Sequence, residues 1–288
     1  MTYLSLENAH VAIIGLGLMG GSMALALHGR CRRIGGFDID DDTLKVVKNQ
    51  NIVDHVFSGV GEIIEEAQVI ILAVPVAEII RILRSMPSSS RSEIIIIDLG
   101  STKVDICKAL EKLPEGFSAI GGHPMCGKET LGIRQATPEL YVNASFALTP
   151  ITNTTQVARL IAGQIVESIG AHPVWLDPET HDRWVAVTSH LPYVIALALT
   201  LATPAEVSPM IGTGFRSTAR LSATPSSMMH GVLKTNRHNL LEALERFKIQ
   251  LNSLEEVLED DKEIELLNLL ELGAASYQTL LSPRWRLS

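Results

Sequence analysis

Apolar positions along this chain follow two rhythms, and the change between them falls near residue 177. Before it, short and nearly continuous apolar runs recur at 11–14, 33–37, 69–74, 93–98, 118–121, 145–149 and 173–176. Runs of this kind, such as the four consecutive isoleucines Ile94 to Ile97, predict strands buried on both faces, as in a parallel sheet. Amphipathic stretches at 22–28, 43–49, 77–85, 103–110 and 156–169 predict helices between many of the strands. Alternation of strand and helix predicts a doubly wound α/β sheet. After residue 177 the strand signals stop. Residues 191–201 are apolar nearly all round and predict a core or interface helix. Leu233, Arg237, Leu240, Leu241, Leu244, Phe247, Leu251, Leu254 and Leu258 recur at helical spacing and predict one long amphipathic helix, with another apolar helix at 266–272. The expected division is therefore an α/β domain at 1–177 and an all-α domain at 178–288. The second carries more apolar face than about 110 residues need for themselves, which predicts a homodimer through it.

The first apolar run ends in Gly15-Leu16-Gly17-Leu18-Met19-Gly20, and a small-residue helix begins at once. Strand, glycine turn and helix in this order are the context that a dinucleotide site requires. Gly15 allows the tight turn, Gly17 leaves room for a pyrophosphate, and Gly20 lets the helix close onto the strand. The second run ends at Asp38, about 20 residues on, where a carboxylate binds the ribose hydroxyls and repels a 2′-phosphate. The pattern predicts NAD as cofactor, held by Gly15, Leu16, Gly17, Leu18, Met19, Gly20 and Asp38. Val74 and Pro75, at the end of the third long run, are expected at the same sheet edge.

Composition narrows the class. With 46% hydrophobic and 19% charged residues the chain has enough apolar matter for a packed core. A net charge of −8 argues against a nucleic-acid or anionic-membrane partner. Cys31, Cys107 and Cys126 lack metal-ligand spacing, so no metal is expected and free thiols in a reducing compartment are. No basic, then apolar leader opens the sequence, and the apolar stretch 185–202 is broken by Ser189, His190 and Pro192, so a cytoplasmic location is expected.

Further candidate chemistry clusters at strand ends. Ser101 follows Asp98-Leu99-Gly100 and serves equally well as a helix cap. His123, held between Gly122 and Pro124, sits on the third such loop, where an imidazole can accept or hold a proton. His190 lies in an apolar helix, where a satisfied core histidine is the default. Arg216 and Arg220 are four apart and would share a helical face suited to a carboxylate, or bridge to acidic helices.

Taken together, Gly15 to Ser22, Asp98 to Lys103, Gly122 to Gly132, Tyr141 to Pro150, His181 to Arg183, Ser189 to Pro192, Gly212 to Arg220 and Thr235-Asn236-Arg237 resemble the prephenate/arogenate dehydrogenases of tyrosine biosynthesis. The resemblance implies a Rossmann-type NAD-binding domain followed by an all-α dimerisation domain. It also implies oxidative decarboxylation of a cyclohexadienol carrying a 4-hydroxyl and a ring carboxylate. By the same resemblance, His123 is the catalytic histidine on the ring hydroxyl and Ser101 orients it. Arg220 and His190 bind substrate, and Glu129 and Asp182 form the pocket entrance. Lys128, Cys126 and Met229 depart from the usual residues at their positions. Prephenate is the expected substrate and arogenate the alternative. A silent NAD-sensing protein would have no need of His123, Ser101 and Arg220 together. A β-hydroxy-acid dehydrogenase would need a catalytic lysine on the helical domain, where Lys234, Lys248 and Lys262 all fall on amphipathic or charged segments.

Overall fold

The computed structural model describes residues 4–91, 93–128 and 130–282. They form two compact units, one up to Arg237 and one from His238.

The first unit is built on eight strands: β1 His10–Ile14, β2 Arg33–Phe37, β3 His55–Val56, β4 Val69–Leu72, β5 Ile94–Asp98, β6 Phe117–Pro124, β7 Ser145–Pro150 and β8 His172–Trp175. Their order in the sheet is β3-β2-β1-β4-β5-β6-β7-β8. All neighbours are parallel except β6 and β7. That reversal has a local cause. A parallel return is usually made through a helix, and the described residues of the connection 125–144 form no α-helix, only the short turns Ile133–Gln135 and Pro138–Tyr141.

Helices α1 Leu18–Leu27, α2 Asp41–Asn49, α3 Val60–Glu66, α4 Val76–Arg84, α5 Val104–Leu110 and α6 Gln156–Ser168 accompany the strands. The isoleucines of β5 show why its sequence does not alternate. Ile95 and Ile97 join one core with α1 and α6, while Ile94 and Ile96 join a second core with α3, α4 and α5 on the opposite face. Both faces are buried, so every position is apolar. β3 and α3 were not expected: one is two residues long, and the other buries only Ile63 and Ile64, too few for a period to show.

The unit continues through α7 Pro178–Val185, a π-helical turn Ala186–His190, α8 Leu191–Ala202, α9 Thr213–Ala219 and α10 Ser226–Thr235. By compactness, then, the chain divides at Arg237, while its apolar rhythm changes near residue 177. The segment Pro178–Ala202 is long and apolar enough to cross a membrane by length and composition, yet it carries the buried polar residues His181, Asp182 and His190. α8 is not buried all round: Leu191, Tyr193 and Ala196 face inward while Leu201 is exposed.

The second unit holds most of α11 Arg237–Glu259 and all of α12 Glu263–Leu281. The single long helix expected from Leu233 to Leu258 is broken at Asn236, whose backbone (φ −114°, ψ 26°) ends α10. Leu251, Leu258, Leu267, Leu270 and Leu280 of this unit are exposed.

Candidate active site

Two cavities meet at the carboxyl edge of the sheet. The first, about 370 Å³, is lined by Gly17, Leu18, Met19, Val74, Pro75, Gly100 and Ser101 among others. The second, about 360 Å³, lies under α8 and α10 and is lined by Thr188, Ser189, His190, Tyr193, Arg220 and Met229 among others. Ser101, His123, Cys126, Lys128 and Met228 line both, so they stand at the junction.

The glycine turn shapes the first cavity. Gly15 has φ +91°, and a methyl on Gly20 would overlap the Gly15 carbonyl, so neither position takes a side chain. A methyl on Gly17 would meet nothing within 4 Å, which leaves open space at the start of α1. The Asp38 carboxylate accepts from Leu16 N at 2.6 Å and Asp40 N at 3.0 Å, which fastens it to the turn. Leu18, Met19, Val74 and Pro75 face the cavity as expected. The Leu16 side chain does not: it is fully buried, and its share in the turn is the N–H given to Asp38.

The junction is held by buried charge. Lys103 and Asp98 form an ion pair with both side chains inaccessible to solvent. Lys103 Nζ also donates to Gly122 O at 2.6 Å, while Asp98 accepts from Gly100 N at 2.8 Å and Gly122 N at 3.3 Å. The pair thus ties the loop after β5, which carries Ser101, to the backbone just before His123.

Asp182 is fully buried. Its oxygens accept from Lys103 N at 2.7 Å and Val104 N at 3.0 Å, capping α5, and from His181 Nδ1 at 2.8 Å. A carboxylate only accepts, so the His181 proton sits on Nδ1. Burial holds His181 below its ordinary pKa, so its Nε2 is bare and accepts from His123 Nδ1 at 2.9 Å. His123 is left with an unprotonated Nε2. Burial, with help from His181, Lys103 and His190, pushes the His123 pKa well down and keeps the ring neutral. The arrangement Asp182–His181–His123 sets a proton acceptor at the junction by orienting it through two hydrogen bonds, the logic of a catalytic triad.

His190 is brought to the second cavity by the π turn, a feature that marks functional sites in helices. Asn236 Nδ2 donates to its Nδ1 at 3.1 Å and to Asp182 O at 2.7 Å. Burial lowers the His190 pKa to about 4.

Most of the expected site residues therefore come together, with three revisions. Asp182 does not line the pocket entrance, because both of its oxygens are spent on the α5 backbone and His181. His181, not Ser101, is the hydrogen-bond partner that orients His123. Arg216 lies on α9, whereas Arg220 begins the following turn and lines the cavity. Glu129 lies outside the described residues. Sequence reasoning passed over His181, Lys103, Asp98 and Asn236 as site residues, although all four stand inside the motifs quoted above.

A glycine turn with its carboxylate, opening beside a neutral, oriented histidine, defines the class as a nucleotide-binding oxidoreductase. The comparisons give the family. The nucleotide-binding domain of prephenate dehydrogenase matches residues 23–175 and its dimerization domain matches 177–272. The chain belongs to the prephenate dehydrogenase family. It is 28% identical to the prephenate dehydrogenase of Bacillus subtilis over 87% of this chain and 70% of that protein. It is also 28% identical to the cyclohexadienyl dehydrogenase of Zymomonas mobilis over 85% of this chain and 87% of that one. Prephenate dehydrogenase from A. aeolicus, solved with hydroxyphenyl propionate and NAD+, superimposes with a TM-score of 0.87 at 27% identity, over 96% of this chain and all of that one.

Proposed function

We propose that this chain is an NAD-dependent prephenate dehydrogenase, converting prephenate to 4-hydroxyphenylpyruvate with loss of CO2, and that it works as a homodimer. The observation that carries the reading is the neutral His123 at the join of a nucleotide cavity and a second cavity walled by Arg220 and Lys128. Family membership and the A. aeolicus complex support it. In this reading residues 1–177 hold the cofactor, and 178–288 supply the substrate wall and the dimer contact.

The residues present fit NAD. The open space at Gly17 admits the pyrophosphate, the first turn of α1 offers N–H groups to it, and Asp38 stands where the ribose hydroxyls would lie. Bound there, NAD supplies the hydride acceptor for C4 of the ring. The protein's part is to place the ring, hold the carboxylates and take a proton. His123 Nε2 accepts the proton of the 4-hydroxyl as hydride leaves C4, and returns it to the ring oxygen when CO2 is lost and the ring becomes aromatic. His181 and Asp182 keep that lone pair aimed and offset the positive charge the imidazole gains. Arg220 and Lys128 hold anionic groups of the substrate. Ser101 lines both cavities beside His123 and is placed to hydrogen-bond the same hydroxyl. Loss of the ring carboxylate makes the ring aromatic and supplies most of the driving force.

The test is NADH formation by the purified chain with prephenate and arogenate offered separately. Turnover of prephenate upholds the reading. Turnover of arogenate alone keeps the chemistry and changes the substrate. NAD binding without turnover of either would make the chain a sensor.

A further inference from the structure

We infer that Asn236 is a positioning residue that sets His190 as a hydrogen-bond donor facing the substrate cavity. The part concerning substrate rests on the function proposed above; the donor assignment rests on geometry alone.

His190 holds a buried ring nitrogen without a partner. His190 is 1% exposed, and its Nε2 has no hydrogen-bond partner. A buried polar atom in that state is costly unless something arrives to satisfy it. Whether it offers or needs a proton is decided at the other ring nitrogen. Asn236 has a carbonyl oxygen and an amide nitrogen that can exchange places, and a backbone carbonyl distinguishes them. Asp182 O can only accept, so the Asn236 atom 2.7 Å from it is the NH2 group. The second hydrogen of that group lies toward His190 Nδ1 at 3.1 Å. Nδ1 is therefore an acceptor and carries no proton. A neutral imidazole then keeps its one proton on Nε2, on the ring that lines the second cavity. His190 presents an N–H and awaits an acceptor.

This assigns a sense to the wall of the cavity. Among the described residues, its lining offers the cations Arg220 and Lys128 and the His190 N–H, and no carboxylate. Such a wall suits a ligand rich in acceptors, a keto acid or a carboxylate.

Asn236 also shows why the helix breaks where it does. A residue continuing α10 into α11 without the break at 236 would have a helical backbone there, and the observed φ of −114° and ψ of 26° are those of a cap. The amide spans Asp182 on α7 and His190 on the π turn, so it holds the two halves of the site in one register.

The test has two readouts on the intact chain. In protein labelled with 15N-histidine, the His190 nitrogen shifts report which nitrogen is protonated. A proton on Nε2 supports the inference and a proton on Nδ1 overturns it, whether or not prephenate turns over. The second readout compares Asn236→Ala, His190→Ala and the double variant. Each single change is expected to raise KM for prephenate about tenfold or more, with KM for NAD unchanged. The double variant is expected to be no worse than His190→Ala alone, because Asn236 acts through His190. Full multiplication of the two effects would mark Asn236 as merely structural and overturn the inference. If Asn236→Ala does not fold, the tautomer in the unaltered protein still decides.

Discussion

The two walls of this site are built by opposite means. The nucleotide wall is backbone: glycines that leave space, amides at a helix start, and one carboxylate pinned to the turn. Its glycine turn and carboxylate come from two short stretches of chain, residues 15–20 and 38, with Val74, Pro75 and Gly100 completing the lining. The histidine wall is side chain, drawn from β6, α7, the π turn and the end of α10, and joined by buried polar contacts that span up to 79 residues of sequence. A wall of backbone tolerates neighbours changing around it. A wall of mutually satisfied buried groups does not, since each lost partner strands another in a dry interior. The two walls should therefore fail differently: one in affinity, the other in folding and turnover.

The largest effect is expected where charge is most deeply buried. Lys103→Met leaves Asp98 buried and unpaired, a loss of about 3–5 kcal/mol. Denaturant unfolding would show it as a lower midpoint. Asp98→Asn added to Lys103→Met should recover part of the loss by removing the stranded charge. Recovery of nothing would mean that the pair matters for its hydrogen bonds to Gly122 and Gly100 rather than for its charge.

Next comes turnover. His123→Asn should bind NAD normally and lose at least about 10²-fold in turnover, the low end of general acid–base assistance. Normal turnover would take His123 out of the chemistry and leave the relay from Asp182 as scaffolding.

The contrast sharpens at Gly17. A Cβ there meets no protein atom, so Gly17→Val should still fold, losing about 1 kcal/mol of unfolding free energy through the poorer helix cap. It should raise KM for NAD by about tenfold or more, since the side chain would occupy the pyrophosphate space. A variant that unfolds easily would show that the backbone wall depends on packing after all.

How much of this could be read from the sequence follows the same division. The glycine turn, Asp38 and the strand runs are local patterns whose chemistry lies within one short stretch, and they were legible. So was His123, by its place at a strand end. The roles of Asp182 and Asn236 were not, because an Asp next to a His and an Asn before an Arg have no pattern until folding brings α5, α7 and α10 together. The same holds for Lys103: nothing in a lysine's neighbours announces that it will be fully buried. The reversal of β7 was hidden for a different reason, since strand direction is set by the length and content of the connection, not by the strand.

The smallest expected effect concerns stability against pH, and its sign can be worked out. A histidine whose folded pKa lies below its unfolded value binds more protons when unfolded, so acid favours unfolding. His190, at about 4 when folded and near 6.5 when unfolded, contributes stability fully above about pH 6.5 and progressively less as pH falls toward 4. His123 and His181 are shifted the same way. The depressed carboxylates Asp40, Asp177 and Glu62 lose their contribution only at lower pH, because their ordinary values already lie near 4. The interval from about pH 6.5 to 5 thus reports on the depressed histidines, those of the wall together with His10 on β1, before the carboxylates contribute. Unfolding midpoints measured across it should fall steadily. His190→Gln, which cannot gain the proton, should flatten that fall, while Gly17→Val should leave its slope untouched. Equal slopes in all three proteins would mean that the acid sensitivity comes from groups other than His190, and that its lowered pKa carries no weight in the stability of the histidine wall.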